Sequence, residues 1–395
     1  MPILAHKIAL DPNQDQEVYF RCACGTARFA YNWALAEWQR QYKAGEKPTA
    51  LRIKLLWNKI RHAQFPWSLE VTKCAGAQAI RNLGTSYSNF FQKKSRYPKF
   101  KKRGVRDRFS LWNDQFSVEG RKVRIPKLGW VRMREALRFA GKILSAVVSC
   151  TAGRWFISIS VETQSSLRPG ENQAGSVGVD LGIKSLAVLS TGEVVEGPKA
   201  GRKLAKKLTR LARSLSRKVR GSANWKKAKV KLSRLYARIA NLRKDTIHKL
   251  TTRLAQTFRV VGIEDLNVAG MVRNHCLARS ISDQAFAEVR RQLEYKCEMT
   301  GTKLVIHDRW LPSSKTCSDC GFVVNKLPLS VRTWSCPSCG VIHDRDVNAA
   351  VNLKPTTVGL TGSDACGEVG SGRVVDDAVK PALLKQELRH VLSST

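Results

Sequence analysis

The chain has 395 residues, 43% of them hydrophobic, and sets 69 Lys and Arg against 31 Asp and Glu, a net charge of +38. This length and apolar content predict roughly two to four folded domains, and the charge excludes a chain that works without a polyanion, with nucleic acid the expected partner. No apolar run reaches the roughly 18 residues of a membrane span and no secretory leader pattern opens the sequence, which argues against a membrane surface.

Residues 1 to about 15 read as a first strand, with Ile3, Ala5, Lys7 and Ala9 alternating against Leu4, His6 and Ile8. Residues 16–95 then turn helical and aromatic. Phe29, Tyr31, Trp33, Ala34 and Trp38, and later Ala79, Leu83, Tyr87, Phe90 and Phe91, recur at helical spacing, the pattern of a helical core. Between Lys93 and Arg103 cations interleave with Tyr97 and Phe100, which suits a nucleic-acid strand lying across the segment. Strand patterns fill 108–163: a glycine-turned hairpin at 118–125, then 143–150 and 155–161 joined through Thr151-Ala-Gly-Arg154. A small β-barrel interrupted by a helical insert fits this order.

Residues 165–174 are a Ser-, Pro- and Gly-containing linker. Val177-Gly-Val-Asp180 and Leu186-Ala-Val-Leu189 read as a hairpin-like pair with a turn at Thr191-Gly192. Two long helices occupy 200–258, broken near Gly221, with leucine stripes at Leu204, Leu208, Leu211 and Leu215 and at Leu232, Leu235, Ile239 and Leu242. Their other faces are crowded with Lys and Arg that have few acids to pair with, as phosphate contact requires. A buried strand ends at Glu264, a helix covers 282–299, another strand covers 303–307, and the composition after Lys354 reads as a tail.

Two short cysteine pairs, Cys317-Ser-Asp-Cys320 and Cys336-Pro-Ser-Cys339, stand fifteen residues apart. That is the spacing of a four-thiolate zinc ribbon: each turn offers two sulfurs to one ion, and the intervening segment is long enough to bring the second pair back. The bland reading is two redox or unpaired motifs. The remaining cysteines, among them Cys22, Cys74, Cys150 and Cys297, form no disulfide framework, which suits a reducing cytosol.

Three acids share one logic. Asp180 and Glu264 each end an apolar strand, and Asp346 opens a helix; Asp344 is the N-cap of that helix. If the two strands are neighbours in one sheet and the helix packs beside them, the carboxylates converge. Such a cluster stays ionised only with cations, and two Mg²⁺ ions would make it a phosphodiester-hydrolysing site. Taken singly, each acid is also an ordinary strand-end, pairing or capping residue.

Gly178-Val-Asp-Leu-Gly-Ile-Lys184, Gly262-Ile-Glu-Asp-Leu-Asn267, Ser313-Ser-Lys-Thr-Cys-Ser-Asp-Cys-Gly321 and Asp344-Arg-Asp-Val-Asn-Ala-Ala350 resemble the TnpB (OrfB) proteins of insertion sequences, relatives of the type V CRISPR effector nucleases. The resemblance extends to Phe90-Phe91 and Tyr97-Pro-Lys-Phe100. It implies an RNA-guided DNA endonuclease, prokaryotic, cytoplasmic and nucleoid-associated, whose guide RNA comes from the transposon end, with one chain per guide. Its fold would be α/β and multidomain: an RNase H-like RuvC domain with a zinc-ribbon insertion, and a small β-barrel (wedge) domain with a helical recognition insert.

By the same resemblance Asp180, Glu264 and Asp346 are the catalytic, Mg²⁺-binding triad, and Cys317, Cys320, Cys336 and Cys339 hold one structural zinc. Lys73, Gln78 and Asn113 lie in segments that contact a short transposon-adjacent motif in double-stranded DNA. The expected layout is a wedge barrel at 1–15 and 105–165, a recognition insert at 16–104, RuvC at 174–314 and 343–356, a zinc ribbon at 315–342 and a flexible tail at 357–395. Two other readings compete: a cleavage-deficient, guided DNA-binding repressor, and a DNA-strand transferase. Val177-Gly-Val-Asp-Leu-Gly182 also looks like the first phosphate loop of actin-like ATPases and sugar kinases, but no second phosphate loop accompanies it.

Overall fold

A computed structural model describes residues 2–163 and 174–355. The linker expected at 165–174, apart from Ala174, and the expected tail at 357–395 lie outside the described residues. The chain divides into two compact units, Met1–Ser166 and Leu167–Thr395.

The first unit runs β1 (Ile3–Ala9), α1 (Gln14–Lys43), α2 (Ala50–Gln64), α3 (Lys73–Phe91), β2 (Arg108–Trp112), β3 (Ser117–Glu119), β4 (Lys122–Ile125), β5 (Gly129–Arg132), β6 (Lys142–Thr151) and β7 (Arg154–Glu162). Its strands form two antiparallel sheets, β1-β7-β6-β2 and β3-β4-β5, joined by a single bridge from Leu10 to Met133. Asn13 and Gln16 make a reciprocal capping box that starts α1 at 2.9 and 3.1 Å. The helix buries Phe20 against Trp155 and Phe109 of the sheet, so helices and strands share one core.

Most of the aromatic periodicity is core, Trp38 stacking on Tyr87 with ring centroids at 4.3 Å and the nearby Trp57 on Phe65 at 5.5 Å, but Phe91 at the end of α3 is exposed. The basic connector is less free than its composition suggested. The Lys101 backbone and the Asn32 side chain exchange hydrogen bonds of 2.8 and 3.0 Å, the Lys101 ammonium lies 3.5 Å from the centre of the Tyr31 ring, and the Tyr97 hydroxyl meets that of Tyr87 at 3.0 Å.

The second unit runs β8 (Ala174–Asp180), β9 (Ala187–Leu189), β10 (Val194–Val195), α4 (Ala200–Lys203), α5 (Ala205–Ser216), α6 (Ala223–Thr257), β11 (Phe258–Glu264), α7 (Val268–Met271), α8 (Ala278–Gln284), α9 (Phe286–Thr300), β12 (Lys303–His307), β13 (Thr333–Ser335), β14 (Ile342–Asp344) and α10 (Arg345–Asn352). One sheet has the order β10-β9-β8-β11-β12, in which β8, β11 and β12 pair in parallel and β9, antiparallel to both its neighbours, alone runs against the rest. The turn at Thr191-Gly192 therefore leads into a third strand instead of closing the first pair. The helix expected over 282–299 is two helices, because Ala285 takes a left-handed conformation at φ 54° between α8 and α9.

Alternation along β8 and β11 sorts their residues into two faces. Val177, Val179, Val261 and Ile263 are buried against Ile247, Leu250 and Leu254 of α6 and Phe286, Val289 and Leu293 of α9. Between those helices, buried Lys296 of α9 donates to the Thr251 and Thr252 hydroxyls and the His248 carbonyl of α6 at 2.7–3.0 Å; burial pulls its ammonium down to about 8. The opposite face has glycine at facing positions, Gly178 beside Gly262. A Cβ on Gly178 would stand 1.9 Å from the Ala350 carbonyl oxygen, and one on Gly262 would stand 2.0 Å from that of Leu353. Helix α10 and the residues after it rest on this bare strip. Gly262→Ala is expected to lower stability by about 1–3 kcal/mol through this clash, read as a drop in Tm. Gly175→Ala, on the neighbouring strand β8 where a Cβ would meet nothing within 4 Å, should leave Tm nearly unchanged.

Candidate active site

Asp180 and Glu264 are the last residues of β8 and β11, two positions beyond the paired glycines and so on the same face as α10. Asp346 lies in the first turn of α10, which Asp344 caps by accepting from the Asp346 and Val347 amides at 3.0 and 2.9 Å. The three acids meet electrostatically. Burial, then the charges of Asp346 and Glu264, push the Asp180 carboxyl up to about 7, against a weaker opposing pull from Arg345 and Arg332. Burial and Asp265 also raise Glu264.

The neighbouring acids are treated differently. Arg290 and Arg309 clamp Asp265, and their hydrogen bonds hold its carboxyl below the usual carboxylate range. Asp346 accepts from the Arg332 guanidinium at 3.1 and 3.4 Å. No hydrogen bond or ion pair to the Asp180 or Glu264 carboxylates occurs among the described residues. Two uncompensated carboxylates beside a third, at a sheet end, are a donor set for hard divalent cations.

The cysteine pairs form mirrored turns. The Cys317 amide donates to the Phe322 carbonyl at 2.8 Å and the Gly321 amide to the Cys317 carbonyl at 2.9 Å; Cys336, Val341 and Gly340 repeat this at 2.9 Å each. Gly321 and Gly340 supply the positive φ, 77° and 75°, that closes each turn. All four sulfurs lie within 4.8 Å of one another, with Cys317 and Cys339 at 3.6 Å and Cys320 and Cys336 at 3.5 Å. Tetrahedral thiolates on one zinc stand about 3.8 Å apart, so the cluster fits that ion. His343, buried under Trp334, places Nε2 3.0 Å from the Cys317 sulfur.

Helix α10 ties this cluster to the sheet. The Asn348 and Asn352 amides donate to the Ser313 and Thr316 carbonyls, and the Asn348 oxygen accepts from the Ser318 amide at 2.9 Å. Spacing rules marked the acids and the cysteines; they missed Gly178, Gly262, Asn348 and Arg332. The repeated Gly-x-acid pattern of Gly178-Val-Asp180 and Gly262-Ile-Glu264 is the sequence signal for the first two.

In the first unit, Gln78 accepts from the Trp112 indole at 2.9 Å, Asn113 follows that tryptophan on the surface, and Lys54 and Arg81 approach its ring. Lys73 begins the same helix as Gln78 but lies about 140° around it.

Because Asp180 binds its proton more tightly when folded, its stabilising contribution is complete below about pH 4 and is lost as the pH climbs to about 7. Asp180→Asn should raise the Tm of metal-free protein at pH 8, by an amount corresponding to roughly 2–4 kcal/mol, and not at pH 4. It should also abolish any Tm gain on adding Mg²⁺. Scanning calorimetry at the two pH values checks both.

A family model described as "Probable transposase" (OrfB, IS605) matches residues 157–275, and one described as "Cas12f1-like, TNB domain" matches 286–353. A "Helix-turn-helix domain" model matches 1–47, a stretch that here holds β1 and α1. A Streptomyces pristinaespiralis protein named "Putative RNA-guided DNA endonuclease" is 40% identical over 92% of this chain and 91% of its own length. "Putative RNA-guided DNA endonuclease InsQ" of Escherichia coli K12 is 35% identical over 99% and 98%. In fold, a Cas12f1 chain solved in a "Cas12f1-sgRNA-target DNA complex" aligns over 86% of this chain and 82% of its own, with a TM-score of 0.53 at 15% identity. Identity at this level along nearly whole chains, with a family match that spans both Asp180 and Glu264, establishes that the chain belongs to the TnpB (OrfB) family, kin of the type V effectors.

Proposed function

We propose that the protein is an RNA-guided DNA endonuclease that pairs a transposon-derived guide RNA with double-stranded DNA bearing a short adjacent motif, and cuts it. The observation that carries this is the pair of uncompensated carboxylates, Asp180 and Glu264, ending adjacent parallel strands with Asp346 brought beside them by α10. The strand order, in which β9 alone runs against the other four strands, suits an RNase H-like RuvC domain. On this reading that domain covers 174–314 and 343–356 and is interrupted by the zinc ribbon at 315–342. The barrel at 1–15 and 105–165, with its insert at 16–104, grips guide and adjacent motif, and Gln78 and Asn113 are the favoured contacts over Lys73.

Asp180, Glu264 and Asp346 would hold two Mg²⁺, which when bound supply an activated water and stabilise the leaving 3′ oxygen. The protein's own part is to keep the three acids close and otherwise unpaired, so that they take up cations and not protons. The lysines and arginines on α5 and α6 draw in the phosphates, and base pairing with the guide supplies the address. The related proteins' names and the intact acids favour a nuclease over a guided repressor.

Purified with its RNA, the protein should cut guide-matched DNA only with a divalent ion. Asp180→Ala should lower the rate by about 10³-fold or more while leaving target binding almost unchanged; an undiminished rate removes the triad assignment. Stripping zinc with Mg²⁺ present should raise hydrogen exchange across 315–342 and reduce cutting, and elemental analysis should find one zinc per chain. Full activity in zinc-free protein contradicts a structural zinc.

A further inference from the structure

The segment after β12 carries a feature that the hydrolytic centre does not use. Trp310 is 84% exposed, the most exposed large hydrophobic side chain among the described residues. Its ring makes no aromatic or cation–π contact there. An exposed tryptophan on a loose loop would be unremarkable, but this loop is fastened along its length. The Asp265 amide, next to Glu264, donates to the His307 carbonyl at 3.0 Å, and Arg309 joins Arg290 on the Asp265 carboxylate. The Trp310 amide donates to the Asp308 side chain at 2.7 Å and the Leu311 amide to the Asp308 carbonyl at 3.1 Å. Beyond it, the Ser313 carbonyl is held by Asn352 of α10 at 2.7 Å. The indole therefore stands on a span anchored at one end beside Glu264 and at the other on the helix that bears Asp346.

We propose that Trp310 is a substrate-positioning residue: it stacks on one unpaired base of the strand being cut, next to the scissile phosphate. This rests on the nuclease reading above. An exposed aromatic plane on a fastened loop is what a single-stranded nucleic acid takes up, the ring covering a base face, while the chain's net charge of +38 draws in the phosphates. A base in a duplex has both faces occupied by its neighbours, so this ring is available only to a strand already opened. Trp310 thereby favours an unwound strand over a duplex without contributing to the chemical step.

The test uses the full chain with its guide RNA. Trp310→Ala should raise KM for a pre-unwound target about 10-fold with kcat and Tm little changed, and Trp310→Phe should restore most of the loss. An abasic nucleotide walked through the cut region should, at one position, cost the wild type the same factor and cost Trp310→Ala nothing more. In parallel, 2-aminopurine at that position in a single-stranded oligonucleotide should be quenched by the non-cutting Asp180→Ala protein and not by Asp180→Ala/Trp310→Ala. Additive abasic and Trp310→Ala losses, an unchanged KM, or a Trp310→Ala defect confined to guide-RNA or protein binding overturn the proposal. Quenching that depends on Trp310, in a protein that never cuts guided DNA, would instead overturn the nuclease reading and leave the platform standing.

Discussion

Helix α10 can lie on the sheet only because no side chain rises from Gly178 or Gly262. Either Cβ would come within about 2 Å of a carbonyl oxygen of α10 or of the residue that caps it. With the strip bare, the helix comes down far enough for the His307 ring to donate to the Leu353 carbonyl at 3.0 Å, and its first turn is carried to the end of β8. The close approach of backbone to backbone, not any attraction between acids, sets where Asp346 stands. Asp346 and Asp180 repel, and the neighbourhood is tolerable because packing elsewhere on the helix enforces it.

That repulsion sits inside a strongly cationic molecule. Asp265, beside the sheet end, is neutralised by two arginines. Asp346 has a partial partner in Arg332, which is exposed, so its attraction is weakened by solvent. Among the described residues Asp180 has no ion pair, and burial, then the charges of Asp346 and Glu264, push its carboxyl up to about 7. The site is thus a small group of acids within a strongly cationic chain, an arrangement suited to cations at one point and phosphates around it. Arg332 belongs to the segment between the cysteine pairs, so the fold that the thiols close also delivers a cation to the third acid.

Much of this was legible in the sequence because it was written in short, strict spacings. Each cysteine pair is a four-residue turn whose glycine closes it, and the apolar runs ending in Asp180 and Glu264 are strands buried on one face. Asp344 was readable as a cap because an acid preceding a helix accepts from its first free amides. What could not be read depends on contacts across long stretches of chain. Nothing local says that Gly178 lies opposite Gly262, that Asn348 reaches Ser313, or that Tyr97 of the Lys93–Arg103 connector is engaged by α1 and α3. The break at Ala285 was hidden for another reason: alanine is a strong helix former, and only tertiary packing holds it at a positive φ.

The acids that meet in space are far apart in time of synthesis. Asp180 and Glu264 leave the ribosome before the thiol turns and well before α10, with the interval from first acid to last roughly 10–30 s at bacterial elongation rates. Until α10 emerges the glycine strip is uncovered and the third acid is absent from the sheet end, so the order of synthesis alone keeps the acid cluster unassembled while much of the basic surface on α5 and α6 is already made.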